Sequence, residues 1–159
     1  MSEYITKFWV RDDVVLITMK HLPSDIGIIA GIFEAFAEND INIDLISQTP
    51  PDENSYTDIY FSIVEEDLNC TLEMVARYQK QKKDVQVDIN PGHTKLTLYG
   101  ELFRDTPGIA AKIFRALADA GIEVKLITTS EVDVSVLISS ADVDKTVSKI
   151  AEIFGVEAE

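Results

Sequence analysis

Along the chain, apolar residues fall into two spacings that follow one another twice. Ile28, Ile32 and Phe36 recur as on one face of a helix, and Ile41, Ile43 and Leu45 then alternate as on one face of a strand. The same switch, from Ile109, Ile113 and Leu117 to Ile122, Val124 and Leu126, comes 81 residues later. A period near 3.6 giving way to a period of two predicts a helix feeding a half-buried strand. Residues 27–46 and 108–127 are identical at half of their twenty positions. The chain is therefore read as one supersecondary unit used twice, in two domains of about 80 residues.

Around the first copy the pattern predicts strands over residues 4–10 and 14–19, separated by the charges of Arg11, Asp12 and Asp13. Ser24 or Asp25 caps a helix that runs to about residue 38. Strands 41–48 and 57–64 flank a loop, TPPDENS, whose two prolines fit neither periodicity. Asp67 caps a helix over 68–81 that ends in cations, and Val85, Val87 and Ile89 alternate as a fourth strand. Residues 90–94, containing NPGH, predict a turn and a domain boundary. Beyond it come a strand at 96–99, a helix started by Thr106 with Pro107 in its first position, strands at 123–129 and 132–139, and a helix from Asp142 to 154.

The second copy is one strand short and the N-terminus has one to spare, so residues 4–10 are expected to complete the second sheet. The expected domains are 13–90 and 1–12 plus 91–159. The fold class is α+β, with two ferredoxin-like β-α-β-β-α-β domains and antiparallel sheets.

Composition narrows the functions. With 46% hydrophobic and 26% charged residues the chain reads as a globular protein. A net charge of −14 repels phosphate backbones and anionic lipid, which excludes nucleic acid and membrane surfaces as partners. With no apolar run of membrane-spanning length and no signal peptide, the expected location is the cytoplasm. Cys70 reads as a small core residue, and His21 and His93 as solvated loop histidines. No Gly-rich phosphate loop, catalytic triad or paired metal-ligand spacing occurs, so the chain reads as non-catalytic, with no cofactor and no metal.

Asp105, Thr106, Pro107 and Gly108 form a D-x-P-G loop that opens a helix, and Ile41, Asn42, Ile43 and Ile122, Glu123, Val124 start the strands that follow the two repeated helices. With the element order, these motifs resemble ACT domains. Two in tandem, with NIDLISQ at 42–48, TDIYF at 57–61 and ITTSEVDVS at 127–135, resemble the regulatory region of aspartokinases, whose small regulatory subunit has the same layout. The resemblance covers residues 4–154, and that family also exchanges its first strand.

Glycine at the start of each repeated helix removes a side chain where backbone would meet a ligand, and the unpaired N–H groups there attract a carboxylate. Asp105 is placed to take an ammonium, so the loop describes an amino-acid pocket. The plainer alternative is that Gly27 and Gly108 serve tight packing and Asp105 is a solvated acid. The resemblance implies that effectors such as lysine and threonine bind at interfaces between ACT units. The positions it singles out are Asp25, Gly27, Ile28, Asn42, Gln48 and Asp58 in the first repeat, and Asp105, Gly108, Ile109, Thr129, Ser130 and Glu131 in the second. Ser24 and Ile26 stand where the motif has its acid and proline, and Glu123 where an asparagine equivalent to Asn42 would be. The implied function is allosteric control of aspartate-family amino-acid biosynthesis, by a homodimer paired through its sheets and with an aspartokinase catalytic chain as a further partner. A ligand-free interaction module, or a fragment of aspartokinase itself, is the alternative.

Overall fold

The computed structural model describes residues 4–159, so residues 1–3, at the start of the second expected domain, lie outside the described residues. Among the described residues, six strands and four α-helices run in the order β1 (Lys7–Pro23), α1 (Ile26–Glu38), β2 (Asp44–Gln48), β3 (Tyr56–Val64), α2 (Leu68–Gln81), β4 (Gln86–Tyr99), α3 (Ile109–Asp119), β5 (Val124–Thr129), β6 (Asp133–Ser139) and α4 (Val143–Phe154). The chain divides into two compact units. The first is Asp13–Pro91, and the second joins Gly92–Glu159 to the chain up to Asp12. No helix among the described residues is long and apolar enough to cross a membrane.

In the first unit the strand order is β2-β3-β1-β4, with β1 and β2 antiparallel to β3 in the registers Ile17↔Phe61 and Ser47↔Tyr60. Alternation puts Val15, Ile17 and Met19 on the same face as Ile59, Phe61 and Ile63, and α1 covers that face with Ile29, Ile32 and Phe36. Phe33 and Phe36 both meet the Phe61 ring edge to face, at 5.5 and 5.1 Å between centroids. Cys70, expected in the core, is only partly buried and packs against its margin.

In the second unit the order is β1-β4-β6-β5, with β4 and β5 antiparallel to β6 in the registers Leu96↔Val136 and Ile127↔Val136. Its core includes Ile5 and Phe8 among Leu96, Leu98, Ile113, Val136 and Ile150. The Thr6 N–H donates to the Tyr99 carbonyl at 2.8 Å, so the start of the chain lies beside β4 as strand counting predicts. Residues near the C-terminus pair in parallel with the other side of β1. There the Glu159 N–H donates to the Phe8 carbonyl at 2.8 Å and the Val10 N–H to the Glu159 carbonyl at 3.2 Å.

Four local expectations need correction. Residues 4–10 and 14–19 are not two strands: from Lys7 one strand carries the charges of Arg11 to Asp13, with Asp13 at φ 56°. The segment 90–94, expected as a turn, lies inside β4, where pairing to β6 from His93 onward overrides a local turn signal, and Gly92 alone takes a positive φ, of 80°. His93 is therefore a buried strand residue rather than a solvated loop residue, and His21 lies in β1, stacked 3.8 Å from the Tyr56 ring. Asp67 ends a single 3₁₀ turn and makes no side-chain cap to α2.

Candidate functional site

The two repeated helices begin differently. At α1, Asp25 has extended backbone and its Oδ1 accepts the Gly27 N–H at 2.7 Å, while its carbonyl accepts from Ile28 and Ile29 at 3.0 and 3.2 Å. The helix start is closed by its own chain, as an N-cap aspartate does. At α3 the residue before the helix is Gly108, at φ 93°, with no side-chain cap. Pro107 lies in the turn, and Thr106 does not cap, because the left-handed glycine separates both from the helix. That leaves the first-turn N–H groups of α3 without a side-chain acceptor, at the positive end of an 11-residue helix.

In front of this open end is a cavity of about 460 Å³, whose lining includes Gly108, Ile109, Thr129, Ser130 and Glu131. Ile109 and Val134, both buried, give it an apolar floor. The β5–β6 turn supplies the opposite wall and is pinned by Ser130. Its N–H donates to the Asp133 carbonyl at 3.0 Å, its hydroxyl donates to Asp133 Oδ2 at 2.6 Å, and the same hydroxyl accepts from the Val132 and Asp133 N–H groups at 3.2 Å. Ser130 therefore shapes the wall and has its hydroxyl committed there. Thr129 is exposed at the end of edge strand β5, opposite Val134. Glu131 pairs with Arg104, Oε2 to Nη2 at 3.0 Å, with both side chains largely in solvent.

Asp105, the expected ammonium partner, is exposed and does not line this cavity; its N–H closes the preceding turn on the Leu102 carbonyl at 3.3 Å. The carboxylate in the lining is that of Glu131. Sequence reading missed Arg104 and Phe103, which belong to the wall; the signal for Arg104 was a cation next to an expected binding acid.

The first-repeat positions do not share a cavity. Asp25 and Gly27 satisfy each other, Ile28 packs against the core, and Asn42 and Gln48 are exposed before and at the end of β2. Asp58 belongs to a separate polar cleft of about 310 Å³ with Lys20, His21, Tyr56 and Thr57. Its Oδ1 accepts the His21 N–H at 3.0 Å, and its own N–H donates to Thr49 Oγ1 at 2.9 Å. The first bond holds the end of β1 to β3, where the register shifts between Met19 and Leu22, and the second holds the residue after β2 to β3.

The second unit thus brings an uncapped helix start, one carboxylate and an apolar floor to a single cavity. Family models described as the ACT domain match residues 15–78 and 96–154. An aspartokinase of Mycolicibacterium smegmatis is 36% identical over 140 residues, covering 87% of this chain and 33% of that protein. The ligand-free regulatory subunit of aspartate kinase from Thermus thermophilus is similar in structure, with a TM-score of 0.83, 26% identity, and 95% and 99% of the two chains covered. Aspartate kinase from Synechocystis superposes with a TM-score of 0.85 at 30% identity, covering 98% of this chain and 28% of that one. The chain spans about a third of the length of the aspartokinases it matches in sequence.

Proposed function

The chain belongs to the ACT-domain family, and from that premise we propose that it is the regulatory portion of an aspartokinase, binding lysine or threonine at the start of α3 and passing that binding to a catalytic chain. The observation that carries the reading is that Gly108 starts α3 without a cap and shares a cavity with Glu131. The ligand carboxylate sits on the first-turn N–H groups, which the helix dipole favours. Its ammonium takes Glu131 from Arg104, and its apolar part lies on Ile109 and Val134. Asp105, exposed beside the loop, is the acid available to a second ammonium, which favours lysine. Thr129 and Ser130 hold the wall in register, and the first-repeat set keeps structural tasks, above all the Asp25 cap.

The same reading makes the molecule a cytoplasmic homodimer. Edge strands β2 and β5 present Ile46 and Ile127, equivalent positions of the repeat that are 51% and 45% exposed. Edges of this kind call for a partner strand. A ligand bound beside such a pairing biases the arrangement it touches, and that bias is what a regulatory unit transmits.

The test is a thermal-shift series against the twenty amino acids. A ligand at about 100 times its Kd adds about 2.7 kcal/mol, or roughly 5–10 °C in Tm for a protein of this size. Lysine or threonine is expected to give it. If no amino acid at millimolar concentration moves the transition, the Arg104–Glu131 pair is the resting state of an interaction surface and the effector reading fails.

A further inference from the structure

The helix layers of the two units are filled differently. On α4 of the second unit, Thr146, Ile150 and Phe154 are spaced four apart and all are buried, beside Ala116 of α3. On α2 of the first unit the first two positions match, as Thr71 and Val75, both buried, but the third is Gln79, which is exposed. The apolar plug of the last turn is missing. On α1, Gly31 lines the space between the helices, and an added Cβ there would meet nothing within 4 Å. Between α1 and α2 there remains a groove of about 240 Å³, floored by Met19, Ile32, Phe36 and Val75.

We propose that this groove binds a small carboxylate with an apolar body, such as an aryl- or branched-alkyl-substituted acid. Its volume exceeds the ~150 Å³ of an engineered apolar cavity that takes up benzene, so one ring or branched chain fits on the floor. Charge decides the head group. Arg77 lines the rim; its Nε donates to the Glu73 carbonyl at 3.5 Å, and among the described residues it makes no ion pair. Lys80, Lys82 and Lys83 follow on the same helix end, a cationic cluster in a chain of net charge −14. Tyr78, whose phenol pKa is raised by burial, is a neutral donor on the same rim. No carboxylate lines the groove, only the amides of Asn39 and Gln81, so an α-ammonium would have no anionic partner there, and a plain carboxylate fits better than an amino acid. The inference does not rest on the effector reading, since this groove lies within the first unit and the effector cavity within the second.

The sequence provides a probe, because it has three methionines and two of them, Met19 and Met74, line the groove. The experiment is a methyl-labelled methionine NMR titration of the full chain with 3-phenylpropanoate, 3-phenylpropan-1-ol and 3-phenylpropylammonium. The expected result is saturable shifts of Met19 and Met74 but not Met1, with the alcohol at least tenfold weaker and the ammonium inert. Arg77→Gln, at a solvent-facing position, is expected to bring the acid down to the alcohol's level, and Gly31→Leu to remove the response by filling the groove. Unmoved Met19 and Met74 signals up to the solubility of the acid overturn the proposal. So do equal responses to all three probes, which mean an unselective hole, and shifts that follow protein concentration alone, which mean that a second copy occupies the groove.

Discussion

Asp25 and Gly27 are joined by a 2.7 Å hydrogen bond from the Gly27 N–H to the Asp25 carboxylate, and that contact closes α1 while α3 stays open. Asp25 is one residue out of line with Asp105 in the repeat, and the shift converts a loop acid into a cap. Asp25→Ala is expected to destabilise the first unit by about 1 kcal/mol, within the range of lost N-caps, and to leave any amino-acid response intact. Urea unfolding with and without ligand checks both halves. A variant as stable as the parent but unresponsive would show that Asp25 binds ligand.

Gly108 gives the complementary test. An added Cβ there meets nothing within 4 Å, so the cost of Gly108→Ala is the left-handed backbone alone, about 1–2 kcal/mol. Unfolding by denaturant should show that loss, and a loss below about 0.3 kcal/mol would mean that the loop relaxes out of the left-handed conformation.

Glu131→Gln separates binding from stability. The Arg104–Glu131 pair is exposed on both sides, so its loss should change stability by less than about 1 kcal/mol. The amino-acid thermal shift is expected to fall by more than half, because the ligand ammonium loses its acid. If Glu131→Gln responds as the parent does and Asp105→Asn does not, the ammonium belongs with Asp105 and the geometry assigned above is wrong.

How far the sequence was legible depended on whether the deciding interaction was local. The limits of α2, Leu68 to Gln81, follow from periodicity and a polar end. The repeated helix and the α+β fold follow from residues a few positions apart. What failed was set by strand pairing or by the backbone angle of a single residue. Asn90, Pro91 and Gly92 spell a turn, yet they run on inside β4, whose pairing with β6 begins at His93, and Thr106 with Pro107 spells a helix start that Gly108 displaces by its φ of 93°. In the candidate site, Gly108, Ile109 and Glu131 were visible through the repeat and the family motif. Arg104 was not, because only the folded β5–β6 turn brings Glu131 to it. The groove between α1 and α2 becomes legible only when Gln79 is aligned with Phe154, and that needs the helix positions rather than the offset of the repeat.

Thr71 and Thr146 occupy matching places and are both fully buried, but their hydroxyls differ. Thr146 Oγ1 donates to the Asp142 carbonyl at 2.6 Å, whereas Thr71 Oγ1 has no hydrogen-bond partner among the described residues. A buried hydroxyl without a partner costs about 1–3 kcal/mol, so Thr71→Val should raise stability by about 1 kcal/mol while Thr146→Val lowers it by a similar amount. Opposite shifts in the urea midpoint at unchanged m-value are the expected reading. A loss in both variants would mean that the Thr71 hydroxyl is satisfied in solution.

The first half of β1 carries the last test, because neighbouring side chains point to opposite faces. Phe8 is fully buried among the second-unit residues Leu96, Leu98 and Val136, whereas Trp9 is 38% exposed, with the Lys7 ammonium 5.6 Å from its ring centroid. Phe8→Ala removes a core ring and should cost about 3–5 kcal/mol. That is a large part of the ~5–15 kcal/mol that holds an ordinary domain together. Trp9→Ala should cost much less, since solvent already reaches the ring. Hydrogen exchange locates the damage. In Phe8→Ala the amides of Leu96, Leu98, Val134 and Val136 should lose protection, while those of Ile17, Ile59 and Phe61 in the first unit keep it. If the first-unit amides open first, the N-terminal half of β1 stabilises the unit that follows it in sequence, and the division of the chain at Asp13 does not describe how it unfolds.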